Sequence, residues 1–306
     1  MSIVNDYILH LEKAELHLHL EGSVEPETLL ELCPGETLEA LRARYEYADF
    51  LGFLQAYKWV TGLLRTPEDY ALITRRLLES LKAQNVRYVE LNLSAGVILW
   101  RSQSLPHVYE AVRGAAAESG VEVNWIFDAV RQFGHEPAMR VAEFAADFAK
   151  DGVVGFGIGG DEVRVPASEF ADVFAFARRA GLHLAPHAGE TSDAGNVWDV
   201  VRLGAERVGH GIRAVEDAEL MRHLRDNDIP LEISISSNVA TGAVVSLDVH
   251  PVRRLFDAGV PIVLNSDDPA MFHTTLTGEY RLAAERFGFS RAEMEEIARN
   301  GFAYRF

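Results

Sequence analysis

The sequence predicts an α/β fold, a closed (β/α)8 TIM barrel, and three observations predict it. Short apolar runs recur eight times along 306 residues, with amphipathic stretches between them, as strands alternating with helices require. No low-complexity linker or charge block interrupts the alternation, so one domain is expected over residues 1–306. Residues able to do chemistry follow the ends of several runs, and in such barrels the active site forms at the C-terminal ends of the strands.

Strands are expected over 15–20, 87–93, 122–130, 153–158, 182–186, 207–209, 230–234 and 261–265. The first alternates Glu15, His17 and His19 with Leu16, Leu18 and Leu20, the period-two pattern of a pleated strand. Helical patterning covers 67–84, 107–119, 137–150, 168–180, 196–203, 217–227 and 251–258. Several of these stop at Gly120, Gly181, Gly204, Asn227 or Gly259, residues that end helices readily. The stretch from 24 to 66 is too long for one barrel helix and carries Tyr45, Tyr47, Phe50, Phe53, Tyr57 and Trp59. Extra helices are expected there, forming a lid over the barrel mouth, although any one of these aromatics fits equally well as ordinary core.

A formal net charge of −17 argues against nucleic acid and anionic membrane surfaces as partners, because both are bound through clustered Lys and Arg. Cys33 is the only cysteine, so neither an intrachain disulfide nor a thiolate metal cage is available. Met1 to Lys13 lacks the basic and apolar regions of a secretory leader, and no apolar run has the length of a membrane span. A soluble cytoplasmic protein is expected. Its oligomeric state is not encoded in any pattern of this kind.

His17 and His19 are two residues apart on the expected first strand, so both rings face the same way. Such a pair either chelates one cation or packs as a hydrogen-bonded core pair. His187 and Glu190 follow the fifth run, with Gly189 between them allowing a sharp turn, and they add a third imidazole and an acid. His183, earlier on that run, reads as structural. Asp267 and Asp268 follow the eighth run; as neighbours on a strand they would point opposite ways, one to a metal and one to a substrate. The competing reading is a simple Asp-Asp-Pro turn. His210 lies between Gly209 and Gly211, a weak signal alone.

Three imidazoles and a carboxylate suit one Zn2+, with Fe, Co or Mn as substitutes. The fourth run has no lysine to bridge a second metal.

These residues stand in the motifs Leu16-His17-Leu18-His19-Leu20-Glu21-Gly22-Ser23, Gly159-Gly160-Asp161-Glu162, His187-Ala188-Gly189-Glu190, Gly209-His210-Gly211 and Ser266-Asp267-Asp268-Pro269. In that order they resemble the adenosine deaminase family of the metal-dependent amidohydrolases, over nearly the whole chain. The resemblance implies a zinc-dependent hydrolytic deaminase of a 6-aminopurine nucleoside. It implies that His17, His19, His187 and Asp267 hold zinc and that His210 orients or deprotonates the attacking water. Glu190 would protonate the purine ring, Asp268 would meet its imidazole edge, and the Gly160 N–H would meet the opposite ring nitrogen. His19 and Glu21 would face the sugar, and a carboxylate there would repel a 5'-phosphate.

Gly155-Phe156-Gly157-Ile158-Gly159-Gly160 and Asn196-Val197-Trp198 depart from typical adenosine deaminases and look more like the family's aminodeoxyfutalosine deaminases of a menaquinone route. The benzoate of such a substrate would need a cation, for which Lys58, Arg65 and Arg131 are candidates. Gly209-His210-Gly211 and Gly160-Asp161-Glu162 argue against deaminases of free adenine. A non-catalytic nucleoside-binding relative is the alternative from another class. Such a copy is expected to have lost a ligand or the acid, and neither is missing here.

Overall fold

The computed structural model describes residues 3–306, with side chains from Tyr7 onward; the first two residues of the Met1–Lys13 stretch lie outside the described residues. The strands β1 (Lys13–His19), β2 (Val86–Leu93), β3 (Glu122–Val130), β4 (Val153–Gly159) and β5 (His183–Leu184) pair in that order. A second sheet contains β6 (His187–Ala188), β7 (Val208–His210), β8 (Leu231–Ile233) and β9 (Ile262–Leu264). Every pairing is parallel, with helices in the connections.

Two seams close these sheets into a barrel of eight staves. At the first, Ala185 N–H donates to the Phe156 carbonyl at 3.3 Å and Gly209 N–H donates to the Pro186 carbonyl at 2.9 Å. The fifth stave therefore leaves β4 and joins β7 within two residues. The single strand expected over 182–186 is in fact two fragments, because Pro186 has no N–H to give to a ladder. At the second seam Leu18 bridges Asp267, with His19 N–H on the Asp267 carbonyl at 2.8 Å and Asp267 N–H on the His17 carbonyl at 3.2 Å. The bonds that close the ring thus set both N-terminal histidines beside the distant aspartate.

Local signals start most of the helices. Thr66 and Asp69 exchange side-chain and backbone bonds to open helix Pro67–Ala83, and Asp193 and Asp217 cap Ala194–Arg202 and Ala218–Asp226. Helices Ala95–Trp100, Ile235–Ala240, Leu276–Phe287 and Arg291–Ala303 are not among those the periodicity predicts. Directly after the seventh stave, expected over 230–234 and formed by Leu231–Ile233, the chain turns into helix at Ile235. Its first N–H groups, on Ile235 and Ser236, donate to the buried Glu279 carboxylate at 2.8 and 3.2 Å. That cap comes from 44 residues away in sequence, beyond the reach of any local pattern.

The 24–66 stretch forms helices Pro26–Leu32, Leu38–Ala43 and Phe50–Leu63. Its aromatics divide between two roles. Tyr45 is buried with its hydroxyl on the Val24 carbonyl at 2.6 Å, whereas Phe50, Phe53 and Tyr57 line the cavity described below. Among the described residues no helix is long and apolar enough to cross a membrane.

Deeper in the barrel the filling is polar. Arg207, 1% exposed, donates from Nε to Glu232 at 2.6 Å, from one terminal nitrogen to Glu90 and from the other to the Tyr304 carbonyl at 2.8 Å. The Phe306 ring covers its guanidinium at 3.5 Å. Glu232 passes the connection upward, since its second oxygen stands 2.7 Å from His17 Nδ1.

Candidate active site

A cavity of about 360 Å³ opens at the C-terminal ends of the strands. Its lining includes His19, His187, Glu190, His210, Asp267 and Asp268, together with Phe50, Leu54, Lys58, Trp100, Arg101 and Phe133.

Donor atoms of His17, His19, His187 and Asp267 all lie within 4.8 Å of one another. Glu232 holds His17 Nδ1, so His17 Nε2 is turned inward, where it is buried with no hydrogen-bond partner. His19 Nε2 and His187 Nε2 face each other at 3.1 Å, and Asp267 Oδ1 is 3.4 Å from both His17 Nε2 and His19 Nε2. Burial drives His19 down to about 3, and burial together with the neighbouring imidazoles holds His187 well below the usual histidine range. Both are therefore neutral, as metal ligands must be. Burial alone would lower His17 too, but the Asp267 and Glu232 carboxylates outweigh it and hold its pKa well above normal. Burial opposes ionisation of Asp267, yet the surrounding histidines keep its pKa well below normal. Inward-facing nitrogens and one anion in a buried cluster fit a divalent cation, which would take the place of the proton that the two carboxylates favour on His17. His17→Ala should leave the purified protein with little bound metal by elemental analysis; undiminished metal content would remove His17 from the ligand set.

Asp267 does not take its direction from strand alternation, which corrects the expectation for the Asp267–Asp268 pair. β9 ends at Leu264, and Asp267 has a left-handed backbone with φ of +64°, so both carboxylates reach the same cavity. Non-glycine residues held this way concentrate at functional sites, and His210 is another, at φ +60°. Burial, reinforced by Asp267, raises Asp268 well above the usual carboxylate range, which favours the protonated form that can donate.

Ser237 and Asn238, to which the sequence assigned no role, orient two of these groups. Ser237 Oγ donates to Asp267 Oδ2 at 2.6 Å. Val252 N–H donates to His250 Nδ1 at 3.2 Å, which leaves the proton on His250 Nε2 to meet Asn238 Oδ1 at 3.2 Å. Asn238 Nδ2 then donates to His210 Nδ1 at 3.1 Å. This chain of bonds starts from a backbone donor whose sense is fixed, so it fixes each tautomer in turn. Neutral His210 accordingly presents Nε2–H to the site, 3.7 Å from Glu190 and 3.9 Å from Asp267.

Glu190 is set by its loop. The Glu162 carboxylate accepts the N–H groups of Gly189, Glu190, Thr191 and Ser192 at 2.5–3.0 Å. Thr241 Oγ1 donates to Glu190 Oε1 at 3.2 Å. Burial raises the Glu190 pKa. Gly160 lines the cavity at φ +100°, where an added Cβ would stand 2.1 Å from Gln132 Oε1, so both the backbone conformation and the packing of Gln132 call for glycine.

Glu21 is not among the residues lining the cavity. It is fully buried, accepting Ser94 N–H at 3.1 Å and the Tyr57 hydroxyl at 3.4 Å, and burial lifts its pKa to about 7. Of the three candidate cations, Lys58 lines the cavity and Arg65 is exposed outside it. Arg131 is corrected to a structural role: it is buried at 1% exposure and donates to the carbonyls of Val165, at 3.2 Å, and His187. Arg101, which no pattern singled out, lines the cavity with Lys58. His183, as expected, lies apart, paired with Glu206 at 2.8 Å and stacked on Phe306.

A family model described as adenosine deaminase matches residues 12–306. The chain is 38% identical over 309 residues to an aminodeoxyfutalosine deaminase of Streptomyces coelicolor, covering 96% of this chain and 80% of that protein. It is 39% identical over 310 residues to an adenine deaminase of Rhizobium leguminosarum bv. trifolii, covering 95% and 93%. Among solved structures, a zinc-bound COG1816 amidohydrolase of Burkholderia ambifaria superposes with a TM-score of 0.92 at 25% identity, covering 100% of this chain and 88% of that one.

Proposed function

The chain belongs to the adenosine deaminase family and is a hydrolytic deaminase of purine-type compounds; from that premise we propose that it converts an adenosine-type 6-aminopurine nucleoside to its 6-oxo product and ammonia, with one Zn2+ on His17, His19, His187 and Asp267. The observation that carries this reading is the gathering of those four donors beside a cavity that also holds Glu190, Gly160 and Asp268, the groups to which we assign protonation and reading of the purine. A divalent cation at these donors would supply water acidified toward neutral pH.

The chain's own groups do the rest. His210, with Nε2–H directed at the site, holds the attacking oxygen in line with the carbon bearing the amino group. Glu190 gives its proton to the adjacent ring nitrogen as the oxygen adds, so the broken aromatic system does not build full negative charge. Protonated Asp268 donates to a nitrogen on the imidazole edge, and the Gly160 N–H donates to the nitrogen on the opposite side. The hydroxyl proton on the tetrahedral carbon then passes to the amino group, ammonia leaves as the 6-oxo bond forms, and Glu190 regains from solvent the proton that the water released on becoming a nucleophile. Ring opening of a cyclic amide would need neither Asp268 nor Gly160.

A second reading, an aminodeoxyfutalosine deaminase, is favoured by one feature. Lys58 and Arg101 bring two cations to the lining of a cavity that also contains Trp100 and Phe133, stacked on each other at 5.5 Å, which suits a 5' extension carrying an aromatic acid. The S. coelicolor relative bears that name.

An ammonia-release screen with the zinc-loaded protein tests both. Adenosine, deoxyadenosine, methylthioadenosine, S-adenosylhomocysteine, aminodeoxyfutalosine, adenine and adenosine monophosphate would be compared by kcat/KM. Fastest turnover of any adenosine-type nucleoside supports the proposal, and aminodeoxyfutalosine in that place selects the second reading. Preference for adenine or adenosine monophosphate overturns both. The lone cysteine and acidic charge further support a cytoplasmic enzyme that binds neither nucleic acid nor membrane.

A further inference from the structure

One buried acid in the cavity is left unused by the chemistry above. Asp128 projects inward from β3, is 6% exposed, lines the cavity, and its Oδ1 has no hydrogen-bond partner. An unpaired buried carboxylate costs stability, so its presence calls for a use. The neighbouring strand has made room for it. β4 lacks side chains at Gly157 and Gly159, where added Cβ atoms would stand 2.6 Å from Asp128 Oδ1 and 3.1 Å from Asp128 Oδ2. His187 borders the same space: its Nδ1 lies 3.6 Å from the Gly159 Cβ position and is buried without a partner.

These two orphans complement each other. If His187 offers Nε2 to a cation, its Nδ1 carries a proton that needs an acceptor, and ligating histidines commonly find a carboxylate there. His17 shows that arrangement in this molecule, with Glu232 2.7 Å from its Nδ1. We propose that Asp128 is the positioning residue for His187, accepting its Nδ1–H through a bridging water, and that Gly157 and Gly159 are required because they let a carboxylate from β3 occupy this place. The inference rests on the metal reading of the four donors. The site for the carboxylate is defined closely enough to be approached from the other strand: a Cβ at position 157 is separated from Oδ1 by little more than an aspartate's own Cβ-to-oxygen span. Its other near neighbours are Ile126 Cγ2 at 3.3 Å and the Ala185 carbonyl at 3.4 Å.

The test uses the full-length protein, stripped of metal and titrated with zinc against a chelator, together with the visible spectrum of the cobalt-loaded form and thermal unfolding without metal. Asp128→Ala should weaken zinc binding about 10- to 100-fold and shift the cobalt spectrum, while the metal-free protein unfolds at the same or a higher temperature, since a lone buried charge has gone. Adding Gly157→Asp to Asp128→Ala should recover most of the zinc affinity. Unchanged zinc affinity and cobalt spectrum in Asp128→Ala would overturn the proposal. So would a weakened affinity matched by an equal loss of metal-free stability that the double variant does not repair. If the unsubstituted protein takes up no zinc at all, the metal reading itself fails, and this inference with it.

Discussion

Glu190→Gln should lower kcat for ammonia release by about 10²- to 10⁴-fold, the usual contribution of a positioned general acid, while metal content and product affinity stay close to those of the unsubstituted enzyme. The amide keeps the shape of the side chain and its bond from Thr241 Oγ1, and the loop stays anchored by its N–H groups on Glu162. Only the transferable proton is lost. Burial raises the Glu190 pKa, so the protonated donor persists to higher pH than an exposed glutamate would allow, and activity should fall as pH rises through that raised value. Retention of most of kcat in the glutamine variant would remove the proton-donor role.

Arg207→Met should destabilise the metal-free fold by about 3–5 kcal/mol, the cost of stranding buried charges by removing their partner. Glu90 and Glu232, both 1% exposed or less, would be left facing each other without the guanidinium. A lower midpoint in denaturant with an unchanged slope is the measurement. A midpoint that does not move would mean the network carries little net energy. Arg207→Lys should not rescue it, because one ammonium cannot reproduce the planar fork that meets two carboxylates and a carbonyl.

Legibility from sequence followed the range of the interactions involved. The alternation of Leu16, Leu18 and Leu20 with polar residues is decided by neighbours one residue away, and β1 formed there. The Pro67–Ala83 helix, with its Thr66 and Asp69 box, is likewise local. The fifth stave was expected as one strand, and Pro186 breaks it between two pairing partners. Helix Ile235–Ala240 was missed because its cap, Glu279, arrives through the tertiary fold. At the site, His17, His19, His187, Glu190, His210, Asp267 and Asp268 were all legible as residue types at strand ends. Arg101, Asp128 and His250 were not, and Glu162, though part of a quoted motif, and Asn238 had no role assigned, since each acts on a partner distant in sequence.

The sequence by itself determined the order of the elements and the chemical inventory, because side-chain periodicity and residue type are properties of short stretches. The tertiary structure alone decided how those groups face one another. Ring closure at Leu18 and Asp267 set the donors together, left-handed backbone at Asp267 and His210 aimed them, and the His250–Asn238–His210 bonds chose which imidazole nitrogen holds its proton. Distances of a few ångströms between residues hundreds of positions apart exist only once the barrel has closed, so no reading of a linear pattern could have supplied them.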